Sequence, residues 1–426
     1  MTRAAAPELG HLFRHESGRL VAALTRLFGL HNLALAEDVV QDALCQALAI
    51  WKIRGVPDDP SAWLVTVAKN RAIDVLRRER RHRDFAPGIS DLLRTEWTLV
   101  PTLEQAFSDE QIKDDQLRMM FACCHAELAD DARIALMLTL LCGFSARELA
   151  LAFLTSPAAM EKRVQRAKKT LSASGELAHA ATPEDVRNRQ GDVQRAIYLL
   201  FNEGYHGSHS ERTIREELCA EALRLCDVLA EHPAGRSPST LALSALLHLH
   251  AARLPGRVDD AGELTPLREQ DRSRWDRRLI ERGIALLEAS AEGEAISPYH
   301  FEAAIAAEHA LAPSIEATRW AHVVELYDGL LRVSFSPVVA LNRAVALAQV
   351  EGPDAGLSEL ARWEADPRLA NYPFFEAARG ELERQAGRAD AAHRCFTRAA
   401  SLARSELERR YFARRADENL KAADSG

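Results

Sequence analysis

Two basic segments, residues 61–83 and 145–171, carry the residue types best suited to binding phosphate. Their donor side chains are Lys69, Asn70, Arg71, Arg77, Arg78, Arg80 and Arg81 in the first segment, and Lys162, Arg163, Arg166, Lys168 and Lys169 in the second. A guanidinium group offers several donors in one plane, which suits phosphate oxygens and base edges. The segments therefore predict contact with nucleic acid, although a solvated helix end rich in Lys and Arg is the simpler alternative.

The net charge of −8 counts against nucleic-acid binding only when it is taken over the whole chain. Residues 1–83 and 136–171 each contain four more basic than acidic residues, whereas residues 84–135 and 172–426 are acidic. Phosphate binding needs a locally basic surface and does not need a positive net charge over the whole chain. The charge distribution therefore favours two separate binding modules near the N-terminus.

The first basic segment is preceded by an amphipathic helix. Apolar residues recur on one face at helical spacing, namely Val39, Val40, Ala43, Leu44, Ala47, Leu48 and Trp51. The opposite face carries Asp38, Gln41, Asp42 and Gln46. A second helix is predicted after the turn-rich residues 54–60, with Ser61 as its N-cap. Its apolar stripe comprises Trp63, Leu64, Val67, Ala68, Ala72, Val75 and Leu76.

The second basic segment has the pattern of a helix-turn-helix. Ser145 and Glu148 form a capping box at the start of a short helix. Ser156 and Pro157 then begin a second helix, after a turn at Leu154. The buried stripe of that helix is predicted to be Met160, Val164, Ala167 and Leu171, with the cations on other faces. Such a pair would place the second helix in the major groove.

Three groups of side chains resemble ligand sets for a metal ion. They are Glu203, His206 and His209; Cys123, Cys124 and His125; and His248 with His250. Zinc needs three or four convergent ligands with a defined spacing, and adjacent cysteines on a helix rarely both reach one ion. We therefore expect structural histidines and buried cysteines, with no metal, no cofactor and no catalytic residues.

The composition indicates a cytoplasmic, all-α protein. Ala, Leu, Glu and Arg dominate, no strand pattern is evident, and no segment is apolar over the roughly 20 residues needed to cross a bilayer. We predict five segments: residues 1–83, a linker at 84–111, residues 112–175, a central extension at 183–335 and a terminal part at 336–422.

The two helices of the first module resemble region two of extracytoplasmic-function sigma factors, which belong to the sigma-70 family. The resemblance covers AEDVVQDALCQALAIW and PSAWLVTVAKNRAIDVLRRERR. It implies that Asp38, Gln41 and Asp42 bind the β′ clamp of core RNA polymerase. It also implies that the melted minus-ten promoter element is held by Arg54, Trp63, Lys69, Asn70, Arg71, Arg77 and Arg78.

The second module resembles sigma region four, which normally follows region two after a short linker. The resemblance rests on Glu148, Leu149, Ala150, Phe153, Ser156, Arg163, Arg166, Ala167, Lys168 and Leu171. It implies contact with the β flap of polymerase and with the minus-thirty-five element. The implied DNA-binding residues are Ser156, Ala159, Lys162, Arg163, Arg166, Lys168 and Lys169.

The terminal part contains a unit with tetratricopeptide spacing at Gly380, Gly387, Ala392, Phe396 and Ala399, and a degenerate unit at residues 336–363. The central extension, with RAIYLLFNEGYHGS and REQDRSRWDRRLIERGIALLEAS, resembles a region found beside such repeats in one subgroup of these sigma factors. That resemblance implies regulation of activity, with an unidentified regulator acting through the repeats as the expected partner.

The expected function is promoter-specific transcription initiation with core polymerase and promoter DNA as partners. The alternative is a conventional helix-turn-helix activator with a peptide-binding repeat domain, which would bind duplex DNA without polymerase. A metal hydrolase within residues 185–330 is a third hypothesis.

Overall fold

The computed structural model describes residues 5–79, 107, 109–125, 127–153, 155–174, 183–206, 216–259, 265–293, 295–403 and 406–423. Within these ranges the regular structure is helical, with no strand, as the sequence predicts. The helices are α1 (Ala5–Phe28), α2 (Leu33–Arg54), α3 (Pro60–Glu79), α4 (Asp109–Cys123), α5 (Asp130–Leu140), α6 (Ala146–Ala152), α7 (Pro157–Ser174), α8 (Pro183–His206), α9 (Glu216–Glu231), α10 (Pro238–Ala251), α11 (Arg277–Ser290), α12 (Pro298–Leu311), α13 (Trp320–Val333), α14 (Pro337–Glu351), α15 (Pro353–Ala361), α16 (Pro373–Gln385), α17 (Ala389–Leu402) and α18 (Glu406–Ala423). Most of the predicted linker at 84–111, and Leu154 in the predicted turn, lie outside the described residues.

The chain divides into two compact units. The first comprises residues 1–200 and 231–235, and the second comprises residues 201–230 and 236–426. The boundary falls after Leu200, within α8. The first part of the predicted central extension is therefore part of the same unit as the two basic modules.

Helix α2 buries the apolar face that the sequence predicts. Ala36, Val39, Val40, Ala43, Ala47 and Trp51 are buried. The prediction is wrong for Leu48, which is 56% exposed. Each residue turns a helix by about 100°, so Leu48 lies at the edge of the face that Ala47 occupies. The helix ends at Gly55, whose N–H donates to the carbonyl oxygen of Trp51 at 3.0 Å and whose φ of 84° suits glycine.

The N-cap of α3 is Asp59 and not Ser61, which corrects the prediction. The N–H of Ala62 donates to Oδ1 of Asp59 at 2.9 Å, and Pro60 takes the first helical position. Proline fits that position because its missing N–H is not needed there, so the cap lies one residue earlier. Ser61 is inside the helix, and its hydroxyl contacts the buried carboxylate of Glu16.

Both predicted caps of the helix-turn-helix are confirmed. The N–H and the hydroxyl of Ser145 each donate to Oε2 of Glu148 at 2.8 Å, and the N–H of Glu148 donates back to the Ser145 hydroxyl at 3.3 Å. The N–H of Ala159 donates to the Ser156 hydroxyl at 3.2 Å. The predicted stripe of α7 is buried at Met160, Val164, Ala167 and Leu171.

The two basic modules share one core, because α1 packs against α4 and α5. Helix α1 contacts the end of α5 at Gly18, where a Cβ atom would lie 1.9 Å from the carbonyl oxygen of Leu141. Nε of Arg26 donates to Oδ2 of the fully buried Asp115 on α4 at 3.0 Å. This packing fixes the position of the helix-turn-helix relative to α2 and α3.

The second unit consists of helices packed mainly against their neighbours in sequence. In α14–α16, a Cβ atom on Gly356 would meet Ala348 at 2.7 Å and Leu382 at 2.9 Å. In α16–α17, a Cβ atom on Gly380 would approach Cys395 at 3.1 Å. Small residues at these positions permit close helix pairs, as tetratricopeptide units require; the assignment to that repeat class stays a prediction.

Candidate polymerase and nucleic-acid interface

The residues predicted to bind polymerase share one exposed face of α2. Asp38, Gln41 and Asp42 are all exposed, opposite the buried stripe of the helix. The face carries two carboxylates within two helical turns. Such a face suits a basic partner surface.

One ion pair joins this face to the predicted DNA-binding helix. Nη2 of Arg71 on α3 lies 2.7 Å from Oδ2 of Asp42 on α2. The structure thus brings together two residues that the resemblance assigned to different partners. Because both side chains are about half exposed, a charged partner can compete for either of them.

The other predicted minus-ten residues lie along α3 and the end of α2. Arg54, Asn70 and Arg77 are exposed, and Lys69 is half-buried. The side chain of Arg78 is outside the described residues. Trp63 packs edge-on against the buried Trp51, with ring centroids 5.3 Å apart, so part of its ring contacts the core.

Sequence reasoning missed an apolar surface beside these residues. Leu48, Ile53 and Val56 are 56%, 85% and 44% exposed, at the end of α2 and in the loop before α3. An exposed apolar patch next to cations suits an unstacked base whose phosphates are held nearby. The signal in the sequence was Ile53, which lies off the buried stripe of α2.

Helix α7 presents its cations opposite its buried stripe. Ser156, Ala159, Lys162, Arg166 and Lys169 are exposed on the helix and its cap. Arg163 is half-buried, 3.4 Å from Asp131 and stacked over Phe153 at 5.9 Å. This face can contact base edges near the start of the helix and phosphates along its length.

Lys168 lies apart from the exposed cations. Its Nζ is 2.6 Å from Oε1 of Glu37 on α2, and both side chains are only 25% exposed. The structure therefore places this predicted DNA-binding residue against the first module.

The cysteines of the predicted ligand group are embedded in the core. Cys123 and Cys124 are fully buried, and burial raises the pKa of Cys124 to about 12. Among the described residues, no group of three or more His, Cys, Asp or Glu side chains is arranged to hold a metal ion. His209, of the predicted group Glu203, His206 and His209, lies outside the described residues.

Family models match three parts of the sequence. Residues 12–82, which span most of α1 and all of α2 and α3, match Sigma-70 region 2. Residues 118–171, from the end of α4 into α7, match Sigma-70, region 4. Residues 189–291 match a family of unknown function, DUF6596.

A curated relative decides the family. RNA polymerase sigma factor NccH of Alcaligenes xylosoxydans xylosoxydans is 32% identical over 160 residues, which cover 37% of this chain and 81% of that protein. The chain belongs to the sigma-70 family of RNA polymerase sigma factors. As a sigma factor it acts in transcription initiation, and it carries a long C-terminal extension.

The extension is shared with a second relative. An uncharacterized protein of Rhizobium meliloti (strain 1021) is 38% identical over 400 residues, covering 93% of this sigma factor and 92% of that protein. The two proteins therefore match through the extension as well as through the sigma regions. None of the described helices of this sigma factor is long and apolar enough to span a membrane.

Proposed function

We propose that this sigma factor reads promoters through two surfaces, α3 with its preceding loop for the melted minus-ten element and α7 for the duplex minus-thirty-five element. The observation that carries the proposal is the cation face of α7, with Lys162, Arg166 and Lys169 exposed opposite a fully buried stripe. A helix with one side fixed in the core and the other side basic can dock rigidly in a groove.

The minus-ten surface would hold single-stranded DNA by charge and by apolar contact. Arg54, Asn70 and Arg77 supply exposed donors, and Ile53 and Val56 supply an apolar surface in the loop region. Extruding a base costs about a few kcal/mol in lost stacking. Contacts between polymerase and α2 would offset part of that cost, so we expect weak binding to DNA without polymerase.

Core polymerase would contact both modules through its β′ clamp and β flap. Asp38, Gln41 and Asp42 would meet the clamp, while the flap would meet the helix-turn-helix module. We propose no chemistry for the sigma factor itself, which would act in the cytosol by positioning polymerase.

Transcription with purified core polymerase tests the promoter surfaces. On a promoter cloned from upstream of its own gene, Lys162→Ala, Arg166→Ala and Lys169→Ala combined should lower the yield by about tenfold or more, because phosphate contacts are lost. Arg362→Ala, an arginine that is 70% exposed in the extension, is the matched control and should leave the yield unchanged. Equal yields from the triple variant and the control would contradict the proposal.

We also propose that the extension regulates the sigma modules, with an unidentified regulator acting through its repeats. Support comes from α8, whose first part packs on α5 of region four. Nη1 of Arg133 lies 3.0 Å from Oδ1 of Asp192 and 3.5 Å from Oδ1 of Asp130, and Arg195 lies 3.0 Å from Asp130. These pairs lie around the apolar side chains of Ile134, Ala196 and Leu199.

The coupling can be tested in the full-length chain. Asp192→Asn combined with Arg195→Gln removes the ion pairs of Asp192 with Arg133 and of Arg195 with Asp130, which reach from α8 to α5. Transcription from the same promoter should change by about threefold or more. An increase would show that the extension inhibits transcription, and a decrease would show that it assists. Arg224→Gln, which removes an ion pair within α9, is the control. Unchanged transcription in the double variant would count against regulation through this contact.

A further inference from the structure

Three arginines of the second unit converge where two short turns meet. Arg253 and Arg257 flank the turn Leu254–Gly256, and Arg272 begins the turn Arg272–Arg274. The turns are in contact, since a Cβ atom on Gly256 would lie 2.9 Å from Nε1 of Trp275. Within the described ranges, none of the three guanidinium groups forms an ion pair with a carboxylate.

The close contacts of the three arginines are with aromatic rings and neutral acceptors, and the charge of Glu316 acts on Arg272 without an ion pair between them. Arg257 stacks 3.7 Å from the ring centre of Tyr205, and Trp275 has Arg253 at 5.4 Å and Arg272 at 4.8 Å from its ring centre. Their hydrogen-bond acceptors are the Tyr205 hydroxyl, the Gln270 side chain and the carbonyl oxygens of His309 and Ala312. Aromatic rings and carbonyl groups attract a cation without neutralising it.

Buried polar atoms without acceptors or donors gather in the same place. Nη1 of Arg257, Nη2 of Arg272, Nε1 of Trp275 and Nδ1 of His309 are buried, and no hydrogen-bond partner for them occurs in the part of the chain that the structure describes. Leaving one such atom unsatisfied costs about 1–3 kcal/mol. Four such atoms in one cluster favour a further hydrogen-bonding group at this place, because buried polar groups are nearly always paired.

The electrostatics of the cluster favour a negative charge. Burial lowers the pKa of Arg253, and the neighbouring Arg257 adds to the effect. Burial would raise the pKa of Tyr205, yet the charges of Arg253 and Arg257 outweigh it and hold that pKa below its ordinary value. Burial, Arg253 and Arg272 together lower the pKa of His309 to about 4. The charges of the arginines thus add to the effect of burial at Arg253 and His309 and oppose it at Tyr205.

We propose that Arg253, Arg257 and Arg272 form a binding site for an oxyanion, the phosphate or carboxylate group of a small molecule. Guanidinium groups bind such oxygens with paired hydrogen bonds, and the unsatisfied nitrogens supply the donors. Arg253, Arg257 and Arg272 are each partly exposed, so the cluster lies near solvent. All three arginines lie within the DUF6596 match, to which no function is attached.

Isothermal titration of the full-length protein tests the site. Inorganic phosphate and citrate are titrated separately at an ionic strength held constant with sodium chloride. Saturable binding of one anion per chain is expected, and whichever anion binds more tightly identifies the group as phosphate or carboxylate. No saturable binding of either anion to the wild-type protein would overturn the proposal.

Variants distinguish a binding site from a structural cluster. Arg253→Gln and Arg272→Gln should each weaken anion binding by about tenfold or more, since each removes a charge-assisted hydrogen bond. Arg362→Gln is the matched control and should bind as the wild type does. Binding that is unchanged in both cluster variants would place the anion elsewhere and overturn the proposal.

A conservative variant keeps the test decisive if the glutamine variants do not fold. Arg272→Lys retains the charge but loses the planar pair of donors, and it should bind the anion more weakly than the wild type. Arg272→Lys that binds as tightly as the wild type would contradict the role assigned to this guanidinium group.

Discussion

Lys168 and Glu37 connect the two sigma modules. Nζ of Lys168, near the end of α7, donates to both carboxylate oxygens of Glu37 on α2, at 2.6 and 2.8 Å. Glu37 precedes Asp38, which we propose to bind polymerase, and Lys168 lies between Arg166 and Lys169, which we propose to bind DNA. In this arrangement a charge of the region-four module is paired with a charge on α2.

Glu37→Gln should lower the free energy of unfolding by about 1 kcal/mol, because the pair is partly shielded from water and makes two hydrogen bonds. Urea unfolding followed by circular dichroism measures the change. Glu161→Gln alters an exposed carboxylate on α7 and should have little effect.

A double-mutant cycle isolates the pair. Glu37→Lys and Lys168→Glu should each destabilise the protein, and the combined reversal should recover much of the loss. The wild-type advantage should also shrink as salt concentration rises. If the two reversals are additive, Glu37 and Lys168 do not interact in solution.

Gly18→Ala should destabilise the first unit by about 3 kcal/mol or more, because the added methyl group would overlap the backbone carbonyl of Leu141. The backbone cannot yield as a flexible side chain would. Gly191→Ala is the matched control, since its methyl group would meet nothing within 4 Å and alanine favours the helix of α8. Equal thermal midpoints for the two variants would mean that α1 and α5 are not packed as described.

Local features of the fold were predictable because they depend on residues a few positions apart. The Ser145–Glu148 capping box, the Ser156 cap and the buried stripe of α7 follow from spacing alone. The predicted cap of α3 was wrong for an equally local reason, since Pro60 at the first helical position moves the cap to Asp59.

Long-range contacts were not predictable from these patterns. A pattern of apolar residues shows that a helix buries one face but not which helix covers it. Lys168 lies 131 positions from Glu37 in the sequence, and nothing near Lys168 separates it from the DNA-facing cations. The arginines of the proposed oxyanion site are likewise brought together by turns that the helical pattern does not describe.

Alkylation of the native protein with iodoacetamide at pH 8 should modify Cys45 before the other cysteines. Cys45 is exposed, whereas the other six cysteines are buried. The thiolate is the reactive form, and burial raises the pKa of Cys219 to about 12 and that of Cys395 to about 11. Peptide mass spectrometry locates the adduct, and Cys45→Ser should remain unmodified over the same time. Early modification of Cys219 would show that its helix opens readily.

His309 should make the protein less stable as the pH falls from about 6.5 towards about 4. Burial, with the charges of Arg253 and Arg272, lowers its pKa in the folded state from 6.5 to about 4. Below pH 6.5 the unfolded chain therefore takes up a proton that the folded chain excludes, and the folded state loses up to roughly 3 kcal/mol by the lower end of this range.

Replacing the imidazole of His309 tests whether this residue causes the loss of stability at low pH. His309→Gln should show a flatter decline of unfolding free energy between pH 7 and pH 5 than the wild type, measured by urea unfolding at each pH. His31→Gln, at an exposed histidine, should follow the wild-type curve. Saturating anion at the proposed arginine site should also flatten the wild-type curve, because a bound negative charge raises the pKa of His309. Parallel curves for the wild type and His309→Gln would mean that His309 is not held neutral in the folded protein.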